Sequence, residues 1–131
     1  MHDSIKNYIH ITSAIKLKLE DQKNNKIPKI IAVSKTFKLE RILPLLDFGH
    51  LDYGENKVQE AIDKWTDIKM IKPSIRLHLI GKLQTNKVKF ALKIFDFIHS
   101  VDSKKLAKKI ADEEIKQKKK VKIFIQVNIA N

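Results

Sequence analysis

The stretch "IIAVSKTF", Ile30 to Phe37, decides how this chain is read. Ile30, Ile31, Ala32 and Val33, all small or branched and apolar, run without a break into Ser34 and Lys35. Such residues suit a pleated, buried surface, so the run reads as a strand with a lysine directly at its end. Lysine is spread over the rest of the chain, on what should be its surface. The question is why one sits at the end of a buried strand.

Outward from that strand the chain alternates. Residues 4 to about 22 read as an amphipathic helix, with Ile5, Tyr8, Ile9, Thr12, Ile15 and Leu19 at the spacing of one face and Asp3 or Ser4 as cap. "QKNNKIPK" breaks the pattern around Pro28. Strand-like runs then follow near 30–34, 50–53, 75–80, 96–101 and 121–127, with helical stretches near 38–48, 56–69, 83–94 and 103–118. Pro44 should kink the first of these helices or mark a fresh start, and Gly49 is placed to end it in a left-handed turn. Asp102 or Ser103 can cap the last helix, whose stripe is Leu106, Ala107, Ile110, Ala111 and Ile115.

Strand–helix alternation implies βαβ units and a parallel sheet. "IIAV", "IRLHLI" and "VKIFIQV" are apolar on nearly both faces, as parallel strands covered by helices should be. The fold class expected is α/β, with about five parallel strands. A doubly wound sheet would carry a glycine-rich phosphate loop after its first strand, and "SKTFKLE" has no glycine. A (β/α)8 barrel needs eight strands and about 250 residues. The expectation is therefore a partial barrel, residues 1–131 forming the N-terminal portion of a single domain, with its last strand at an open edge.

With no cysteine in 131 residues, disulfides, thiolate metal sites and a cysteine nucleophile are excluded. No apolar run approaches the roughly 18 residues that suggest a membrane span, and the N-terminus lacks the pattern of a secretory signal. A cytoplasmic location is expected. The net charge of +12 comes overwhelmingly from lysine, since Arg41 and Arg76 are the only arginines. Such charge permits weak attraction to polyanions, but arginine forks and interleaved aromatics are missing, so no specific nucleic-acid partner is expected.

In a parallel barrel the chemistry gathers at the C-terminal ends of the strands. Those ends carry Ser34-Lys35-Thr36, Tyr53-Gly54-Glu55-Asn56, Gly81-Lys82-Leu83-Gln84, Ser100-Val101-Asp102 and Asn128. Lys35 is the sharpest candidate. Partial desolvation at a strand rim would free its amine, the nucleophile that condenses with an aldehyde. The bland alternative, a solvated lysine among many, is favoured modestly by local chemistry alone. His78, between Leu77 and Leu79, reads as a hydrogen-bonded core or lining residue, and nothing at ligand spacing beside it suggests a metal. Helix starts account for Asp102, and by the same reasoning Glu55.

"IIAVSKTF", "YGENKVQEA", "LHLIGKLQTNK", "HSVDS" and "IFIQVN" stand in the order and spacing of one family. The chain resembles the YggS-like pyridoxal phosphate homeostasis proteins, also described as alanine-racemase N-terminal-domain-like, fold-type III. The resemblance runs from the first strand to the last residue. It implies an alanine-racemase-like barrel in which Lys35 holds pyridoxal 5′-phosphate (PLP) as an imine. It further implies Asn56, His78 and Asn128 at the mouth, with no individual chemical role, and no catalytic residue or metal. Family members are regarded as carriers or regulators of vitamin B6 and amino-acid pools rather than racemases. Leu77-His78-Leu79-Ile80-Gly81 replaces the family's Trp-His-Phe-Ile-Gly, a change of packing. The family's phosphate-binding residues lie in a C-terminal part with no counterpart here, so the chain reads as C-terminally truncated and is expected to bind the cofactor poorly alone.

Two alternatives remain open at this stage. A PLP-dependent amino-acid racemase needs an acid/base on each face of the substrate, and Lys35 has no evident partner. A polyanion-binding module would act through Lys116 to Lys122 and ignore Lys35, while an inert fragment would do neither. Open barrel edges predict self-association or pairing with a complementary half.

Overall fold

The computed structural model describes residues 1–130 and divides the chain into two units. The first comprises residues 1–30 with 37–50, the second residues 31–36 with the chain from Leu51 onward.

In the first unit, α1 (Asp3–Asp21) and α2 (Leu39–Phe48) are the only regular elements among the described residues. Ile5, Tyr8, Thr12, Ile15 and Leu19 are the half-buried stripe of α1, whereas Ile9 is exposed. Tyr8 sets its ring edge-on to Phe48 and His50, with centroids 5.9 and 4.9 Å away. The cap is neither Asp3 nor Ser4. His2 stands one residue earlier in extended conformation, and its ring nitrogen accepts the Ser4 N–H. Nor does Pro44 interrupt α2, which runs unbroken through it. Proline removes the donor to the Glu40 carbonyl alone, and Glu40 is in the exposed first turn, where water can serve that oxygen.

Gly49 ends α2 at φ +103°, with its N–H shared between the Leu45 and Leu46 carbonyls and the His50 N–H on Leu45. That backbone favours glycine. Gly49→Ala is expected to cost about 1–2 kcal/mol from the left-handed penalty alone, read as a lowered urea midpoint with unchanged slope.

In the second unit, β1 (Ala32–Val33), β2 (Asp52–Glu55), β3 (Arg76–Leu79), β4 (Phe97–Val101) and β5 (Lys122–Ile125) form one sheet in sequential order, every neighbouring pair parallel. α3 (Val58–Ile71), α4 (Val88–Ile94, entered through a 3-10 turn at Thr85–Lys87) and α5 (Lys104–Gln117) connect the strands from β2 onward. Ser103 caps α5, its hydroxyl accepting the Leu106 N–H at 3.1 Å. The fold is mixed α/β, five strands of a partial parallel barrel.

Side chains alternate between two faces of this sheet. On one, Tyr53 and Glu55 meet Trp65 of α3, and their register partners Leu77 and Leu79 are fully buried. This face, with Ile98 and the apolar stripes of α3, α4 and α5, holds the core. The opposite face was expected to be nearly as apolar, and it is not. It carries Asp52, Arg76, His78 and His99, which bond one to the next across β2, β3 and β4. Asp52 and His78 are the buried members of this row, and their hydrogen bonds within it are why they are tolerated there. Strand β5 is exposed along its whole length, as expected of the last strand in the order. Among the described residues no helix is long and apolar enough to cross a membrane.

Candidate functional site

Val33 is the register partner of Gly54, and a Cβ on Gly54 would meet Ile31 and Ile80 at 3.1 and 3.3 Å. Ile31, Val33, Gly54 and Ile80 therefore share the face opposite the helical core. Lys35 follows Val33 by two residues, at the C-terminal end of β1. Its side chain is exposed and makes no hydrogen bond or ion pair among the described residues. The desolvation expected at a strand rim is thus absent, because Val33 beside it is itself 49% exposed. The amine is open to solvent and unpaired.

Backbone geometry around Lys35 is tightly specified. Ser34 is buried, its N–H and Oγ both directed to the Gly54 carbonyl at 2.9 and 3.3 Å. Thr36 has φ +65°, a left-handed conformation that costs a β-branched residue about 1–3 kcal/mol. Two side chains of α3 reach this turn. Lys64 Nζ donates to the Ser34 carbonyl at 2.8 Å, and Glu60 Oε1 accepts the Thr36 N–H at 2.7 Å. Lys64 is in turn held by Glu55, at 2.6 and 3.3 Å to its two oxygens, and lies 3.4 Å from Glu60. The Trp65 indole N–H completes Glu55 at 3.1 Å. Glu55 is fully buried and is no helix cap. A carboxylate can be buried there because an ammonium and an indole both donate to it.

Asn56 follows β2 and is partly buried. A Cβ on Gly81 would overlap the Asn56 side-chain oxygen and carbonyl, so residue 81 must be glycine for Asn56 to keep its place. His78 lies deeper, 3% exposed and stacked on Phe97 at 4.2 Å. Its Nε2–H donates to Asp52 Oδ1 at 2.9 Å and its Nδ1 faces His99 Nε2 at 2.9 Å. Asn128 is exposed beyond β5, and its Oδ1 accepts the Ala130 N–H. No hydrogen bond or ion pair joins any two of Lys35, Asn56, His78 and Asn128 among the described residues. Nor does any group of three or more His, Cys, Asp or Glu side chains there have the arrangement of a metal site.

Burial alone would raise the Asp52 carboxyl. The hydrogen bonds from Arg76 and His78 outweigh it and hold the group at about 2, against an ordinary 3.8. Burial, and the facing His78, push the His99 imidazole below its usual value. A carboxyl depressed in the folded state stabilises fully above its unfolded value and loses that contribution as pH falls through the folded one. Between about pH 4 and pH 2, stability is expected to drop by about 2 kcal/mol through Asp52, measured by urea unfolding along a pH series.

No family model matches the chain. It is 35% identical over 127 residues to the pyridoxal phosphate homeostasis protein of Vibrio alginolyticus, covering 93% of this chain and 54% of that protein. It is 32% identical over 103 residues to the protein of the same name from Escherichia coli K12, covering 78% and 44%. Among solved structures it is similar to PipY of Synechococcus elongatus with PLP bound, at TM-score 0.73 and 36% identity over 88% of this chain and 55% of PipY. An unknown protein from Bifidobacterium adolescentis superposes with TM-score 0.77 and 27% identity, over 94% of this chain and 56% of that one. The chain spans about half the length of the relatives it matches. Over the stretch shared with them, the chain is similar in sequence to the pyridoxal phosphate homeostasis proteins and in fold to PipY.

Proposed function

We propose that the chain binds PLP through Lys35 and serves vitamin B6 and amino-acid homeostasis without turnover. The observation that carries this is the Lys35 amine itself, exposed and unpaired at the end of β1 on a turn whose backbone is fixed on both sides. Lys64, by contrast, is bound to carboxylates at 2.6 Å and 3.4 Å. Bound PLP supplies an aldehyde carbon. Lys35 would hold the cofactor there through its side-chain nitrogen, the kind of group that condenses with an aldehyde with loss of water. The residues present fit that end of the cofactor. Asn56, His78 and Asn128 are assigned to the mouth on the family motif alone, and none receives a chemical role.

The proposal extends to the whole chain as the N-terminal portion of one barrel domain in the cytoplasm. It also includes self-association, or pairing with a complementary half, through β1 and β5. Support comes from β5, where Ile123, Phe124 and Ile125 are 42%, 53% and 75% exposed on the outermost strand. Sedimentation across a concentration series tests this, and a monomer at all concentrations with no complementary partner bound would oppose it. The racemase-type alternative gains no support, since no other titratable side chain bonds or pairs with Lys35 among the described residues. The cofactor reading is tested by titrating PLP into the chain and into Lys35→Ala. The variant is expected to lose about tenfold or more in apparent affinity, and equal affinities would overturn the proposal.

A further inference from the structure

We infer that Glu60 and Lys64 are positioning residues for Lys35, acting as a two-sided clamp on its backbone. The inference rests on the reading of Lys35 as the cofactor lysine. The Ser34 carbonyl, immediately before Lys35, accepts from Lys64 Nζ at 2.8 Å. The Thr36 N–H, immediately after it, donates to Glu60 Oε1 at 2.7 Å. Both side chains come from α3, four residues apart and therefore on one face of the helix. They bond each other at 3.4 Å, so the two jaws are one unit. The unit is anchored from below by Glu55, fully buried and bonded to Lys64 at 2.6 Å.

Two features set the clamp apart from ordinary loop fastening. First, it holds Thr36 at φ +65°, a backbone region that a β-branched residue leaves unless its surroundings enforce it. Both flanking bonds are charge-assisted, which suits that task. Second, it engages Glu55, Glu60 and Lys64 with one another. Lys64 is tied to Glu55 and Glu60, so neither carboxylate is available to pair with the Lys35 amine. The result is a fixed backbone carrying an exposed, unpaired amine. For imine formation, the entropy lost in placing the nucleophile is reduced before any aldehyde arrives.

Lys64 and Glu55 are poor test sites, because removing either leaves its partner charged and buried. Glu60 is 29% exposed and can be changed with Lys64 still held by Glu55. Glu60→Ala removes the acceptor for the Thr36 N–H, whereas Glu60→Gln keeps an acceptor oxygen of the same reach. Two readouts are taken on the full chain: amide exchange at Thr36 without cofactor, and the share of borohydride-fixed PLP found on Lys35 rather than on other lysines. In Glu60→Ala, Thr36 exchange should accelerate about tenfold or more and the Lys35 share should fall by a similar factor, with Glu60→Gln restoring most of both. A released Thr36 amide with an undiminished Lys35 share would overturn the positioning role. An unprotected Thr36 amide in the unmodified chain would overturn the clamp itself. Protection of Thr36 together with no preference for Lys35 in the unmodified chain would instead overturn the cofactor reading and leave the clamp standing as a structural device.

Discussion

Glu55→Ala is expected to lower the unfolding free energy by about 3–5 kcal/mol, the largest single effect foreseen for this chain. Glu55 is fully buried, and the Lys64 side chain is only 9% exposed. Removing the carboxylate strands the ammonium 2.8 Å from one carbonyl and 3.4 Å from the half-buried Glu60, and leaves the Trp65 indole N–H without its acceptor. A buried charge deprived of its partner costs far more than the intact pair contributes, because desolvation is then uncompensated. Glu55→Gln separates charge from shape, since its amide oxygen can still accept one bond, and it should cost less than the alanine variant. Trp65 is the sole tryptophan and touches Glu55 directly, so its fluorescence reports the transition. A loss below about 1 kcal/mol in Glu55→Ala, at unchanged urea slope, would show that the site relaxes and rehydrates.

The second large effect belongs to Asp52. Arg76 grips its carboxylate with two bonds, at 2.8 and 2.6 Å, and His78 adds a third at 2.9 Å. Asp52→Asn keeps the shape but removes the charge that all three donors address. The expected loss is about 3 kcal/mol at neutral pH, at the lower bound for breaking a buried pair because Arg76 is 36% exposed and can turn to water. The variant carries its own signature. A group that no longer titrates cannot contribute the acid-side slope, so the decline of stability between about pH 4 and pH 2 should flatten. A slope unchanged in Asp52→Asn would assign the acid sensitivity to other carboxylates.

Local pattern carried the architecture well where it repeats. The stripe Ile5, Tyr8, Thr12, Ile15 and Leu19 is the half-buried face of α1, and each strand-like run overlaps a strand of the parallel sheet, β2 running on to Glu55 past the 50–53 reading. Gly49 lies where a left-handed ending was read. Boundaries and caps were less legible. His2 takes the capping place of Asp3 or Ser4, and β1 contracts to Ala32–Val33, because pairing partners rather than propensity decide where a strand stops.

What the sequence concealed is long-range polar pairing. Asp52, His78 and His99 are separated by 26 and 21 residues, and no spacing rule connects them. The one available clue was the alternation of Arg76 and His78 with Leu77 and Leu79, which marks a polar face. A search confined to strand ends passes over that face. Glu55 was seen as a strand-end carboxylate, yet its partner Lys64 comes from the next helix and one more lysine in this chain attracts no notice. The clamp on Ser34 and Thr36 spans 30 and 24 residues and uses backbone atoms, which have no sequence signature. Lys35 itself was legible by position but not by environment, since its exposure depends on what else covers the Val33 side of the sheet.

The most direct test of the central claim is to incubate the purified chain with PLP, reduce with borohydride, and map every modified lysine by mass spectrometry. The account predicts modification concentrated on Lys35 and lost in Lys35→Ala, with Lys64 unmodified because its ammonium is held by Glu55 and Glu60. Modification scattered over the surface lysines with no preference for Lys35 would contradict it.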